Sequence, residues 1–145
     1  MRELLGREFI VTVEVVTPAG TDPVPLLDSL RRLDGLPFHG FSVATNPVAR
    51  PRMDALAFCT LIRATLDRPA ILHCTTRDHN RLALRSILWG ARAVGIDTIL
   101  AATGDMVAHA ERGTTTTVGD ADVYDLLRMA GEIGLTAGAV LTDHE

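Results

Sequence analysis

The chain has 145 residues, 47% of them hydrophobic, and a formal net charge of -4. That length suits one domain with a real core, and the charge argues against nucleic acid or an acidic membrane surface as partner. All 14 basic residues are arginine, which excludes Schiff-base or other lysine chemistry within the chain. Strand one is expected over residues 9–16, rich in β-branched residues and closed by Thr17-Pro18. Asp22 then reads as an N-cap with Pro23 at the first helical position. Leu26, Leu27, Leu30 and Leu33 follow at helical spacing, until Gly35 and Pro37 stop the helix. Strand two spans 40–44, and a loop at 45–52 with two prolines and two arginines leads into a helix over 53–66. Pro69 introduces strand three, 70–75, after which Asp78 is expected to cap a helix carrying Leu82, Ile87, Leu88 and Ala91. Gly95 ends that helix. Strand four is 97–102, residues 103–119 are irregular, a helix covers 121–134, and strand five is 135–142.

Five strands alternating with helices about every 30 residues predict a parallel α/β sheet. Such a sheet gathers the C-terminal ends of its strands at one edge, where its chemistry resides. Glu14, Thr45, Asn46, His73, Thr75, Asp105 and Asp143 are therefore expected to meet in space. At 145 residues the chain is short for a closed (βα)8 barrel of about 250 residues. Cys59 and Cys74 form no CxxC pair and suit a reducing cytoplasm. The charged N-terminus carries no signal-peptide pattern, and no apolar run approaches the roughly 18 residues of a membrane span.

Three strand ends carry candidate chemistry. Glu14 lies between Val13 and Val15. A carboxylate there is costly to bury ionised, and burial favours the protonated form that a general acid needs. The plain alternative is a glutamate facing solvent. A parallel strand is usually covered on both faces, which favours the buried, functional reading. His73 and Thr75 offer a ring nitrogen and a hydroxyl to a ligand, with a satisfied buried histidine as the alternative. His73, Cys74 and His79 lack metal-ligand spacing, so no metal site is expected. Thr103-Gly104-Asp105 places a glycine where a ring could approach the backbone, with Asp105 at the rim. Arg50, Arg52 and Arg77 could contact a phosphate or simply line a solvated loop. Neither GxGxxG nor GxxxxGK[ST] is present, which removes the Rossmann and P-loop cradles.

Together these pieces resemble the methylenetetrahydrofolate reductase family. Its opening strand has the form V-x-x-E-hydrophobic-x-P-P, which is similar to Val11-Thr12-Val13-Glu14-Val15-Val16-Thr17-Pro18. Its third strand ends in H-x-T-C-x-D, against His73-Cys74-Thr75-Thr76-Arg77-Asp78 here. Its fourth ends in I-L-A-L-(R/T)-G-D, against Ile99-Leu100-Ala101-Ala102-Thr103-Gly104-Asp105. The helix with Trp89-Gly90-Ala91 and Val94-Gly95-Ile96 also fits. Residues 46–53, Asn-Pro-Val-Ala-Arg-Pro-Arg-Met, resemble the branch fused to a homocysteine S-methyltransferase module. Departures are Thr17 in place of a first proline, Thr45-Asn46 in place of an aromatic, Met106-Val107-Ala108 after Gly-Asp, and the absence of any lysine.

The resemblance implies a (βα)8 barrel, of which residues 1–145 form a single α/β domain of about five strands, the first half, a partial TIM barrel. It implies an FAD-dependent cytoplasmic oxidoreductase of one-carbon metabolism and methionine biosynthesis. Hydride would pass from NAD(P)H through FAD to 5,10-methylenetetrahydrofolate. It further implies that Glu14 and Asp105 are catalytic, with Thr45, His73, Thr75, Thr103, Gly104 and Asp105 at or beside the cofactor. A homo-oligomer or a missing C-terminal half is expected to complete the barrel. The alternatives are a non-catalytic flavin- or folate-binding module, a self-associating half-barrel, and a flavodoxin-like open sheet.

Overall fold

The computed structural model describes residue 6 and residues 9–107 and 114–140. Five strands, β1 (Thr12–Val16), β2 (Gly40–Ala44), β3 (Ala70–Thr75), β4 (Thr98–Ala102) and β5 (Thr136–Ala139), alternate with four helices. These are α1 (Val24–Arg31), α2 (Ala55–Leu66), α3 (Arg81–Ala93) and α4 (Val123–Glu132). The strands run parallel in the order β1-β2-β3-β4-β5. Each therefore pairs with its sequence neighbour and the sheet winds in one direction. A flavodoxin-like sheet would read 2-1-3-4-5, so that alternative is excluded. The architecture is an α/β fold consistent with a partial barrel of the expected family type.

One face of the sheet holds the core. Val15, Val43, Leu72, Ile99 and Ala137 are register partners across all five strands. They pack with Leu27 and Leu30 of α1, Phe58 and Ile62 of α2, Leu84 and Leu88 of α3, and Leu126 and Met129 of α4. The opposite face carries Glu14, Ser42 and Ile71 as one register row and His73, Leu100 and Gly138 as another. None of these six belongs to the core cluster. Alternation along a strand requires this division, and it places Glu14 on the open face.

The helix starts follow local capping chemistry. Asp54 caps α2 by accepting from the Ala57 amide, and Asn80 caps α3 by accepting from Ala83. Asp122 and Asp125 form a reciprocal capping box on α4. Asp78 was the expected cap of α3, and it is instead engaged by Arg77 and Asn46. Asp22 accepts from the Val24 amide, so it serves α1 from one residue further out than expected. Strand one begins at Thr12 rather than residue 9, and strand five is shorter than 135–142. The distal part of the expected fifth strand, with Asp143, lies outside the described residues.

Candidate functional site at the strand ends

The C-terminal ends of β1 to β4 enclose a concavity of about 420 Å³, within the range of small-molecule sites. Glu14, Thr45, His73, Thr75, Thr103, Gly104 and Asp105 all line it, together with Pro47, Val123 and Val140. Residues 91 positions apart in sequence thus share one surface, because a singly wound parallel sheet brings every strand end to the same edge. A separate hollow of about 260 Å³ lies elsewhere, between α1, β2 and the end of α2.

Glu14 is exposed, between half-buried Val13 and buried Val15. The expectation of a buried carboxylate is corrected here: helices cover one face of this sheet only, and Glu14 points from the other. Across the same face, Ser42 Oγ lies 2.5 Å from His73 Nε2. Burial lowers the His73 pKa, and the nearby Glu14 opposes that shift in part. The imidazole is accordingly held neutral at neutral pH, with the serine hydroxyl completing its Nε2 bond. Sequence reasoning missed Ser42. The available signal was a lone small polar residue in an otherwise apolar strand, in register with Glu14.

Thr45 donates its hydroxyl proton to the His73 carbonyl at 2.5 Å, which ties the loop after β2 to β3 at the wall of the concavity. Thr75 is 5% exposed, and its Oγ1 is buried without a hydrogen-bond partner. An unsatisfied buried hydroxyl is uncommon and costly. The residue lines the wall of the concavity, with the hydroxyl oxygen itself buried behind that wall.

Gly104 adopts φ +91°, and a Cβ there would lie 3.1 Å from Arg77 Cβ and 3.3 Å from Thr75 Cβ. The glycine is therefore required by the protein's own packing, in addition to any approach by a ring. Backbone bonds from Thr76 to Ala102 and from Arg77 to Thr103 extend the β3–β4 ladder into this loop. The carboxylate of exposed Asp105 accepts from the Val48 amide at 2.5 Å. Val48 sits at φ 52°, between Asn46 at φ 42° and Ala49 at φ 53° with only Pro47 intervening. A β-branched residue in that region is an outlier.

The three arginines considered for phosphate contact have different fates. Arg77 is 4% exposed and its guanidinium forks onto Asp78, Nε to Oδ1 at 2.6 Å and Nη2 to Oδ2 at 2.7 Å. That hydrogen bonding, followed by the bond from Asn46, holds the Asp78 carboxyl below the usual carboxylate range against the opposing effect of burial. Arg77 is thus committed internally. Arg50 is exposed and lines a neighbouring hollow of about 410 Å³ with Thr115 and Thr116. Arg52 is half-buried, with its Nε unpartnered. Thr17, the departure from the paired prolines, is 1% exposed and donates to the Met53 carbonyl at 2.7 Å. It ties the end of β1 to the segment before α2. No described helix is long and apolar enough to cross a membrane.

No curated protein matches the chain. The family model for methylenetetrahydrofolate reductase matches residues 1–134, and with a parallel α/β fold consistent with it, the chain belongs to the methylenetetrahydrofolate reductase family.

Proposed function

We propose that the strand-end concavity binds FAD and serves methylenetetrahydrofolate reduction, with NAD(P)H as hydride donor. The observation that carries this reading is the unsatisfied Thr75 hydroxyl, buried in the wall of a concavity of ligand size. Family membership supplies the substrate class. The residues present suit a flavin. Thr45, Thr75 and neutral His73 offer polar groups to a ring edge, and the Thr103–Gly104 backbone forms a side-chain-free wall at the glycine.

FAD, when bound, supplies two-electron chemistry between the nicotinamide and the folate methylene carbon. The chain's own residues would do the rest. Glu14 faces the concavity from β1, where its carboxyl group can deliver a proton to the folate as its five-membered ring opens. Asp105 stands across the same surface, its carboxylate anchored by the Val48 amide. Neutral His73, held by Ser42, orients without adding charge. Residues 46–53 further support placement near the branch fused to homocysteine S-methyltransferase. We read the open face as covered in the working cytoplasmic protein, by a second copy or by further βα units of the same barrel. The edge positions of β1 and β5 among the described residues support that covering.

The test is to equilibrate the purified protein with FAD, remove the excess, and record flavin absorbance and fluorescence. Retained, quenched flavin that loses absorbance on adding NADH or NADPH is expected. Glu14→Gln should then slow folate-dependent return of the absorbance by about 10²–10⁴-fold while sparing the nicotinamide step. Absence of bound flavin would overturn the proposal. Equal loss of both steps would remove Glu14 from its role.

A further inference from the structure

We propose that Arg77 is a positioning residue: it fixes the Asp105 carboxylate and the strained Val48 turn at the rim of the concavity. Its guanidinium reaches three strand-end loops at once. Nη2 donates to the Asn46 carbonyl at 3.2 Å in the loop after β2. Nη1 donates to the Asp105 carbonyl at 3.1 Å in the loop after β4. Nε and Nη2 are held by Asp78 in the loop after β3. Arg77 is 4% exposed, so this fork is screened little by solvent.

The contacts form a closed circuit. Asp105 is fixed at its carbonyl by Arg77 and at its carboxylate by the Val48 amide. Val48 belongs to the turn that Arg77 grips through Asn46. Left-handed Asn46, Val48 and Ala49 are strained, and such conformations persist only where their surroundings over-determine them. Gly104 lies directly on the Arg77 side chain, so the same residue also sets the height of the loop that presents Asp105. Lysine cannot reproduce this arrangement, because the planar fork supplies the geometry. The link to catalysis rests on the proposed flavin site; the positioning itself does not.

Amide hydrogen exchange of the ligand-free protein tests the positioning directly. Arg77→Met and Asp105→Asn should each speed exchange of the Val48 amide by about tenfold or more, as loss of a bond to a charged group implies. The double variant should exchange no faster than Asp105→Asn alone, since one contact is being removed by two routes. Should Arg77→Met fail to fold, Arg77→Lys carries the comparison, with faster Val48 exchange despite the retained charge. In FAD-loaded protein, Arg77→Met should shift the flavin midpoint potential in the native background and leave it unmoved in the Asp105→Asn background. Unchanged Val48 exchange, or an increase shared equally by the β2–β4 amides, would overturn the proposal. Protein that retains no FAD would defeat the functional reading alone, because the exchange result stands apart from it.

Discussion

Substituting Gly104 by alanine separates backbone strain from close packing. Gly104 has φ +91°, where an L side chain costs about 1–2 kcal/mol. The new Cβ would also meet Arg77 Cβ at 3.1 Å and Thr75 Cβ at 3.3 Å. Both neighbours are first side-chain atoms and cannot rotate away, so relief requires backbone movement at the end of β3 and in the loop after it. Overpacking of that kind adds about 1–3 kcal/mol, for a total of roughly 2–5 kcal/mol. A domain of this size loses about 2–4 °C of melting temperature per kcal/mol, so Gly104→Ala should melt roughly 10 °C lower. Gly119 is the control: it has φ +68° and nothing within 4 Å of its would-be Cβ. Gly119→Ala should therefore show the backbone cost alone, roughly 4 °C. Urea unfolding with an unchanged slope would establish that the folded state is what changed. Equal losses in the two variants would refute the packing argument and return Gly104 to a purely conformational role.

Thr75→Val removes a buried hydroxyl that has no partner. It should raise the stability of the ligand-free protein by about 1 kcal/mol while weakening FAD binding by roughly five- to tenfold; thermal melts and fluorescence titration measure the two, and a clear loss of stability would count against an unsatisfied hydroxyl. Burial lowers the His73 pKa from its ordinary 6.5, so the unfolded chain binds its proton first as pH falls. Stability should then decline as pH drops below about 6.5 and level off once the folded-state pKa is passed. His73→Asn should flatten that decline in urea titrations between pH 7 and 5, and an unchanged slope would assign it to other groups.

Element identity was legible in the sequence because strand and helix periods alternate cleanly. The bounds of β2 and β3 agree with the expected 40–44 and 70–75. Strand-end position also placed Glu14, Thr45, His73, Thr75, Thr103, Gly104 and Asp105 on one surface, whereas Asn46 lines the neighbouring hollow with Arg50 and Arg77. Caps were harder. Asp78 and Asn80 are both good cap residues two positions apart, and the choice fell to Asn80 because Arg77 captures Asp78. Arg77 itself read as a phosphate contact or a solvated loop residue. Its burial depends on three loops converging, and no local pattern encodes that. Glu14 was misjudged for a related reason. Alternation shows that Glu14 and its valine neighbours face opposite ways, but not which face the helices will cover.

The open face carries a physical argument of its own. Val16 is 42% exposed and Val140 60%, and Ile71 and Leu100 are only half-buried on the same side of the sheet. Interleaved with them are Glu14, Ser42 and His73, the groups nearest the proposed chemistry. In a parallel barrel, inward-pointing side chains stack in layers drawn from alternate strands. The Glu14–Ser42–Ile71 and His73–Leu100–Gly138 rows are instead register rows across consecutive strands, and alternate members such as Glu14 and Ile71 share this face. Their mixed polarity makes this face different from the helix-covered one, where the corresponding row is wholly aliphatic. Helix packing selects apolar residues on the covered face alone, and leaves the composition of the open face to whatever meets it. A carboxylate, a hydroxyl and an imidazole set among aliphatic groups on one face only are the groups that the proposed ligand would meet, with Gly138 a side-chain-free position in the His73 row. The exposed face and the surface that holds the groups of the proposed chemistry are therefore the same, and a partner covering it, as proposed, would meet both Glu14 and Asp105.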